Sequence, residues 1–187
     1  NHIQNLDPVF DRKGWSVKGG YETDKGMIHL ILFKSQDDPH SIPAIQKSTE
    51  IRPQENTVLG IQSSYSIGKI MTLNIDYGFS ALTRNSDSPE SESFNAGFVK
   101  TMGGLFQPKV SSGFYHAIKS NIGFNTKIGQ IGINHERIDP GYKTLGTLYF
   151  NNDIENFTIS MSSSFLQKRL TFTGNGGLQR NNLNQIK

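Results

Sequence analysis

Cysteine is absent from the 187 residues, which excludes disulfide scaffolds, thiolate metal sites and cysteine nucleophiles together. Long apolar runs are missing too: nothing approaches the ~18 residues of a transmembrane helix, and Asn1 opens no basic-then-apolar signal peptide. Only 34% of residues are hydrophobic, and although 19 Gly narrow the gap to the roughly 45–50% usual when Gly is counted, a thick soluble core is hard to build. Charge is low and mixed, with 19 Lys+Arg against 16 Asp+Glu. The basic residues are scattered, so a pI near 9.1 does not imply a nucleic-acid partner.

Helical periodicity is likewise scarce, because Gly and β-branched residues interrupt each candidate stretch. What the chain has instead is short neutral polarity: 19 Ser, 16 Asn, 12 Thr and 19 Gly, a composition suited to strands and turns. Period two dominates. Met71, Leu73, Ile75, Tyr77 and Phe79 alternate with Thr72, Asn74, Asp76, Gly78 and Ser80, as a half-buried strand requires. Phe157, Ile159, Met161, Ser163 and Phe165 alternate in the same way with Asn156, Thr158, Ser160, Ser162 and Ser164, and Leu170, Phe172 and Gly174 alternate with Thr171, Thr173 and Asn175.

A further strand is read at Leu59 to Ile67, and weaker ones at Trp15 to Tyr21, Met27 to Ser35, Phe94 to Lys100, Phe114 to Phe124, Gly129 to Arg137 and Lys143 to Asn151. About ten evenly spaced strands predict an all-β sandwich or barrel. Gly68 opens a two-residue loop suited to a type II′ turn, and Asp139-Pro140-Gly141 has the order of a type II turn. Consecutive strands should therefore be hairpins of an antiparallel up-and-down meander. Two connections are long and polar, 37–56 and 84–92, and the short turn at Asn125-Thr126-Lys127 breaks their alternation unless Leu105 to Ser112 hides a strand. The length fits a single domain, 1–187, or part of a larger barrel.

The apolar rows could meet a protein core or lipid. The row from Phe157 to Phe165 has aromatic ends and an aliphatic centre over nine residues, close to the roughly 9–11 of a tilted membrane-crossing strand. The facing Ser, Thr and Asn rows suit a wet interior better than the Lys and Glu usual on exposed soluble sheets. Lipid-facing residues are thus expected to include Met71, Leu73, Ile75, Tyr77, Phe79, Phe157, Ile159, Met161, Phe165 and Phe172. Interior-facing polar residues would be Thr72, Asn74, Asp76, Ser80, Thr158, Ser160, Ser162, Thr171, Thr173 and Asn175. The alternative is a secreted β-sandwich, with the Met71 and Phe157 rows interdigitating across two sheets and long loops binding glycans or partner proteins.

Three stretches, His135-Glu136-Arg137-Ile138-Asp139-Pro140-Gly141-Tyr142-Lys143-Thr144-Leu145-Gly146, Tyr149 to Asp153 and Leu178 to Leu183, resemble large, poorly characterised outer-membrane β-barrel proteins of gram-negative bacteria. Phe33 to Asp38 and Pro53 to Asn56 are similar to the same family's preceding strands and loops. The resemblance implies an outer-membrane location and lipid as partner. It also implies longer relatives, so that this chain would be a segment, with further strands or partner subunits of the same assembly.

Catalytic and metal chemistry finds little support. Asp37-Asp38-Pro39-His40-Ser41 could hold a cation but reads first as a turn. Asp87, Glu90 and Glu92 lack the spacing of a calcium loop. His29, His116 and His135 have no acidic or His partner near them in sequence, no Gly-x-Ser-x-Gly elbow occurs, and Gly174-Asn175-Gly176-Gly177 is no phosphate loop. Glu136, Arg137 and Asp139 read as the polar rim of a hairpin. The expectation is a non-enzymatic porin-like channel or structural envelope component without cofactor or metal.

Overall fold

A computed structural model describes residues 9–42, 51–91, 104–147, 151–166 and 169–184. Its eight strands are β1 (Arg12–Thr23), β2 (Gly26–Asp37), β3 (Glu55–Ile67), β4 (Met71–Thr83), β5 (Ser112–Thr126), β6 (Gly129–Ile138), β7 (Ile154–Phe165) and β8 (Leu170–Asn181). They pair antiparallel in chain order within one sheet. The sheet is open, since β1 pairs only with β2 and β8 only with β7.

Eight strands stand where about ten were expected. The stretch from Lys143 is a loop over residues 143–147, because its backbone groups bond to side chains rather than to a neighbouring strand: the Lys143 carbonyl accepts from Ser80 Oγ at 2.6 Å, and the Leu145 amide donates to Asn56 Oδ1 at 3.1 Å. Phe94 to Lys100 lies outside the described residues. Residues 104–111 hold no strand, only an isolated bridge between Lys109 and Glu90. Since β4 pairs directly with β5, residues 84–111 form one connection, and the alternation of long and short connections is unbroken. The four tight turns, after β1, β3, β5 and β7, share one end of the sheet, and the three long connections share the other.

Turn chemistry follows the sequence. Gly68 has φ of 58° while Lys69 stays out of the positive region, and the Ile70 amide bonds to the Ile67 carbonyl at 3.3 Å, which fits type II′. Gly141 has φ of 80° after Pro140, and the Tyr142 amide reaches the Asp139 carbonyl at 3.0 Å, closing a type II turn.

The register carries a regular stagger. One cross-strand row runs Gly19, Leu30, Ile61, Tyr77, Ile118, Arg137, Glu155, Arg180. Below it, towards the tight turns, β1 and β2 extend four residues, β3 and β4 six, β5 and β6 eight, and β7 and β8 ten. Each strand is thus offset by one residue from the last. A 3.4 Å rise against a 4.8 Å strand spacing makes that a tilt of about 35°, the tilt of closed barrels.

Candidate membrane face and polar interior

Partners across an antiparallel ladder share a face, so the registers sort every strand residue to one of two sides. Met71, Leu73, Ile75, Tyr77, Phe79, Phe157, Ile159, Met161, Phe165 and Phe172 all fall on one side. Thr72, Asn74, Asp76, Ser80, Thr158, Ser160, Ser162, Thr171, Thr173 and Asn175 all fall on the other. The Met71 and Phe157 rows therefore belong to one layer. Among the described residues no second sheet faces them.

The apolar side is sorted by height. Two residues in from the turn end of their strands stand Tyr21, Tyr65, Phe124 and Phe172. Eight residues in stand Trp15, Phe79 and Phe157, with Lys34 and Arg137 the charged residues at the same level and Leu59, Ile118 and Leu178 between them. The levels between carry mainly aliphatic residues, among them Leu30, Ile75, Ile122, Ile133, Met161, Val17, Leu32, Ile61 and Ile159, with Tyr77 the aromatic exception. Ten residues in, the side becomes polar or small, with Gln36, Thr57, Ala81, His116, Glu155 and Arg180. From the turn ends to the upper aromatic level is eight residues, or about 22 Å along the axis of a sheet tilted by ~35°, against the roughly 25 Å apolar band of outer-membrane barrels.

Towards the two edges of the sheet the band is bare: Leu30, Ile159, Phe172 and Leu178 are 60%, 56%, 56% and 81% exposed, while Leu73, Ile75, Ile122 and Ile133 on the central strands are half-buried. Among the described residues, protein covers it at the loop end, where Phe106 packs on Phe79, Ala81 and Phe114. Phe79 is thereby buried, so of the residues expected to face lipid it is the one shielded by another part of the chain. The segment is tied down at the Leu105 carbonyl, which accepts from Lys34 Nζ at 2.8 Å and Thr57 Oγ1 at 3.2 Å.

A polar cluster straddles the upper edge of the band, with His135 six residues in, Arg137 eight, and Glu155 and Arg180 ten. Glu155 accepts from Arg180 and from His135 at 3.2 Å and lies 3.7 Å from Arg137, which also reaches Asp139 at 3.5 Å. Arg137 is therefore a rim residue as expected, whereas Glu136, one position earlier, points to the opposite side. The other histidines also have partners that the sequence did not show: His29 lies 2.8 Å from Glu22, and His116 Nδ1 lies 2.6 Å from Tyr77 Oη. Asp37 is buried against Arg12 at 2.7 Å, and Asp38 Oδ1 accepts the His40 amide at 2.9 Å in a turn. Glu90 accepts from Gln107 at 2.6 Å.

The polar side holds a ladder of amides, with Asn74 donating to Asn121 at 3.0 Å and Asn121 donating to Asn134 at 2.7 Å. Next to it one register row reads His29, Gln62, Asp76, Lys119, Glu136, Asn156, Gln179. Lys18 Nζ reaches Gln62 Oε1 at 2.9 Å from β1, and Asn156 donates to Glu136 at 3.2 Å.

Over the loop end of this side lies the 139–147 segment. Tyr142 and Leu145 are 5% and 7% exposed, and burial pushes the Tyr142 phenol above its usual value near 10, with Tyr77 adding to the shift. Asn56, fully buried, holds the segment through the Leu145 amide and also donates to Ser80 Oγ at 2.9 Å. Sequence reasoning missed this seat. The only signal was a pair of polar residues, Asn56 and Ser80, near the ends of two apolar strands.

Comparison with known proteins returned no matching family model, no matching curated protein and no similar solved structure.

Proposed function

We propose that the chain is an outer-membrane β-barrel protein, or an open sector of one, with its apolar side to lipid and its Ser/Thr/Asn side to a wet interior, serving as a porin-like channel or structural envelope component. The observation that carries this reading is an apolar side about 22 Å tall from the turn ends to the upper aromatic level, with aromatic residues gathered at two heights on it. The tilt of about 35° supports it, as does the restriction of charged rim residues to the side of the band away from the tight turns. The role needs no nucleophile, cofactor or metal. Lipid is the partner, and the open β1 and β8 edges are where further strands or subunits would join.

Trp15, the sole tryptophan, stands in the upper aromatic level and provides the test. Reconstituted into vesicles of brominated phosphatidylcholine, its fluorescence should be quenched relative to unbrominated vesicles. A chain that stays monomeric in buffer without detergent, with Trp15 indifferent to bromine, would overturn the reading.

A further inference from the structure

Resting on the channel reading above, the geometry points to residues 139–147 as the constriction of the bore, and to Asp76, Lys119 and Glu136 beneath it as the charges that select small zwitterionic solutes. Two independent observations meet here. The first is the seat. The segment leaves β6 at Ile138 and turns across the polar side instead of outward, and it is fixed there by buried groups: Ser80 Oγ to the Lys143 carbonyl, Asn56 Oδ1 to the Leu145 amide, and Lys143 Nζ to Gln54 Oε1 at 3.2 Å. Asn56 and Ser80 are both 0% exposed. Buried polar groups of this kind are costly unless paired, so the segment is held as part of the structure and does not hang free as a surface loop.

The second observation is the charge arrangement. Asp76, Lys119 and Glu136 are direct register neighbours on β4, β5 and β6, hence about 5 Å apart strand to strand. Asp76 and Lys119 are exposed and form no ion pair with one another within 4.0 Å. Together with Gln62 and Tyr142 the three line a cleft of about 280 Å³, enough for an amino-acid-sized molecule. Alternating carboxylate, ammonium and carboxylate, with no ion pair among the three and only Glu136 accepting a hydrogen bond, from Asn156, match a solute carrying an ammonium and a carboxylate close together, and they match a uniformly charged ion less well. Elsewhere on this side β3, β7 and β8 are uncharged, β1 and β2 hold the pairs Arg12–Asp37 and Glu22–His29, and Lys18 of β1 reaches Gln62 of this same row at 2.9 Å, so the polar-side charges outside those pairs gather at and beside the row under the segment.

The test is solute uptake in a liposome-swelling assay with the full chain. Alanine is compared with lactamide, an uncharged molecule of similar size. The wild type should favour alanine, and Asp76→Asn/Lys119→Met/Glu136→Gln should bring the ratio to about one with lactamide uptake unchanged. Releasing the seat with Asn56→Ala/Ser80→Ala should raise uptake of both solutes at least twofold. Should that variant fold poorly, Gln54→Cys/Lys143→Cys placed in the same background and joined by a reducible cross-link should restore wild-type uptake until the link is reduced. Uptake that ignores seat release and the reducible lock overturns the constriction, and an alanine ratio unmoved by charge removal overturns the selection. A chain that inserts and closes into a ring but passes neither solute, with the seat intact or released, overturns the channel reading beneath both.

Discussion

The Tyr142 hydroxyl lies against the backbone of Gly78: a Cβ added at Gly78 would stand 2.6 Å from that oxygen. Glycine is required there for space, because its φ is ordinary. Gly78→Val should therefore displace the 139–147 segment without disturbing strand pairing. Overpacking of this kind costs about 1–3 kcal/mol. Limited proteolysis should show faster cutting at Lys143 in the variant while the rest of the chain keeps its wild-type pattern. An unchanged cutting rate would mean that the contact does not hold the segment.

Ile75 and Ile159 lie in the aliphatic band, four and six residues from their turn ends. Arg at either position should lower folding stability in vesicles by about 2–4 kcal/mol if these positions meet the bilayer midplane. Ser160, the neighbour of Ile159 on the opposite side, serves as the control, and Ser160→Arg should cost clearly less. Equal costs in urea titrations of vesicle-reconstituted protein would show that the two sides do not differ in solvent.

Phe106 is 4% exposed within the cluster of Phe79, Ala81 and Phe114, its ring 5.8 Å from that of Phe114. Phe106→Ala should destabilise by about 3–5 kcal/mol and bare Phe79. Leu178→Ala, at an 81% exposed site, should by contrast have little effect in detergent. Thermal melts of the two variants make the comparison.

Ionisation of Tyr142 should come late. Burial raises its folded pKa above that of the unfolded chain, so its stabilising effect is complete below about pH 10, the ordinary tyrosine value, and is lost as pH rises through the raised value. Absorbance at 295 nm should show a late phase to which Tyr142 contributes, and Tyr142→Phe should reduce the amplitude of that phase by one tyrosine. Simultaneous titration of all six tyrosines would contradict the burial.

The strands and their two-sidedness were legible because alternation is a local property. Met71 to Phe79 and Phe157 to Phe165 declare their sides without reference to anything distant, and Gly68 and Pro140-Gly141 declare their turns in two or three residues. Sorting of the aromatics into two levels was only partly legible. It was visible within the Phe157 row, but it extends to Tyr21, Tyr65, Phe124 and Phe172 only once the stagger between strands is known, and stagger depends on pairing. The misreading at Lys143 has a similar cause. Lys143, Leu145 and Thr147 alternate well enough for a strand, and their competing partners, Asn56 and Ser80, are more than sixty residues away in sequence. His29, His116 and His135 looked isolated for the same reason, their partners being brought by neighbouring strands.

The seat of the 139–147 segment also sets a minimum girth. A strand tilted by about 35° takes up about 5.9 Å of circumference, so eight of them close on a radius of about 7.5 Å. Ser80 Oγ and Asn56 Oδ1 bond the segment's backbone directly, which sets that backbone about 6–7 Å from the sheet, close to the axis of an eight-stranded ring, where it would fill the bore. Ten strands give a radius of about 9.4 Å and twelve about 11 Å, and either leaves an open passage beside the segment. On the channel reading, then, the twelve-residue margins at Arg12–Thr23 and Leu170–Asn181 are seams along which more wall is joined.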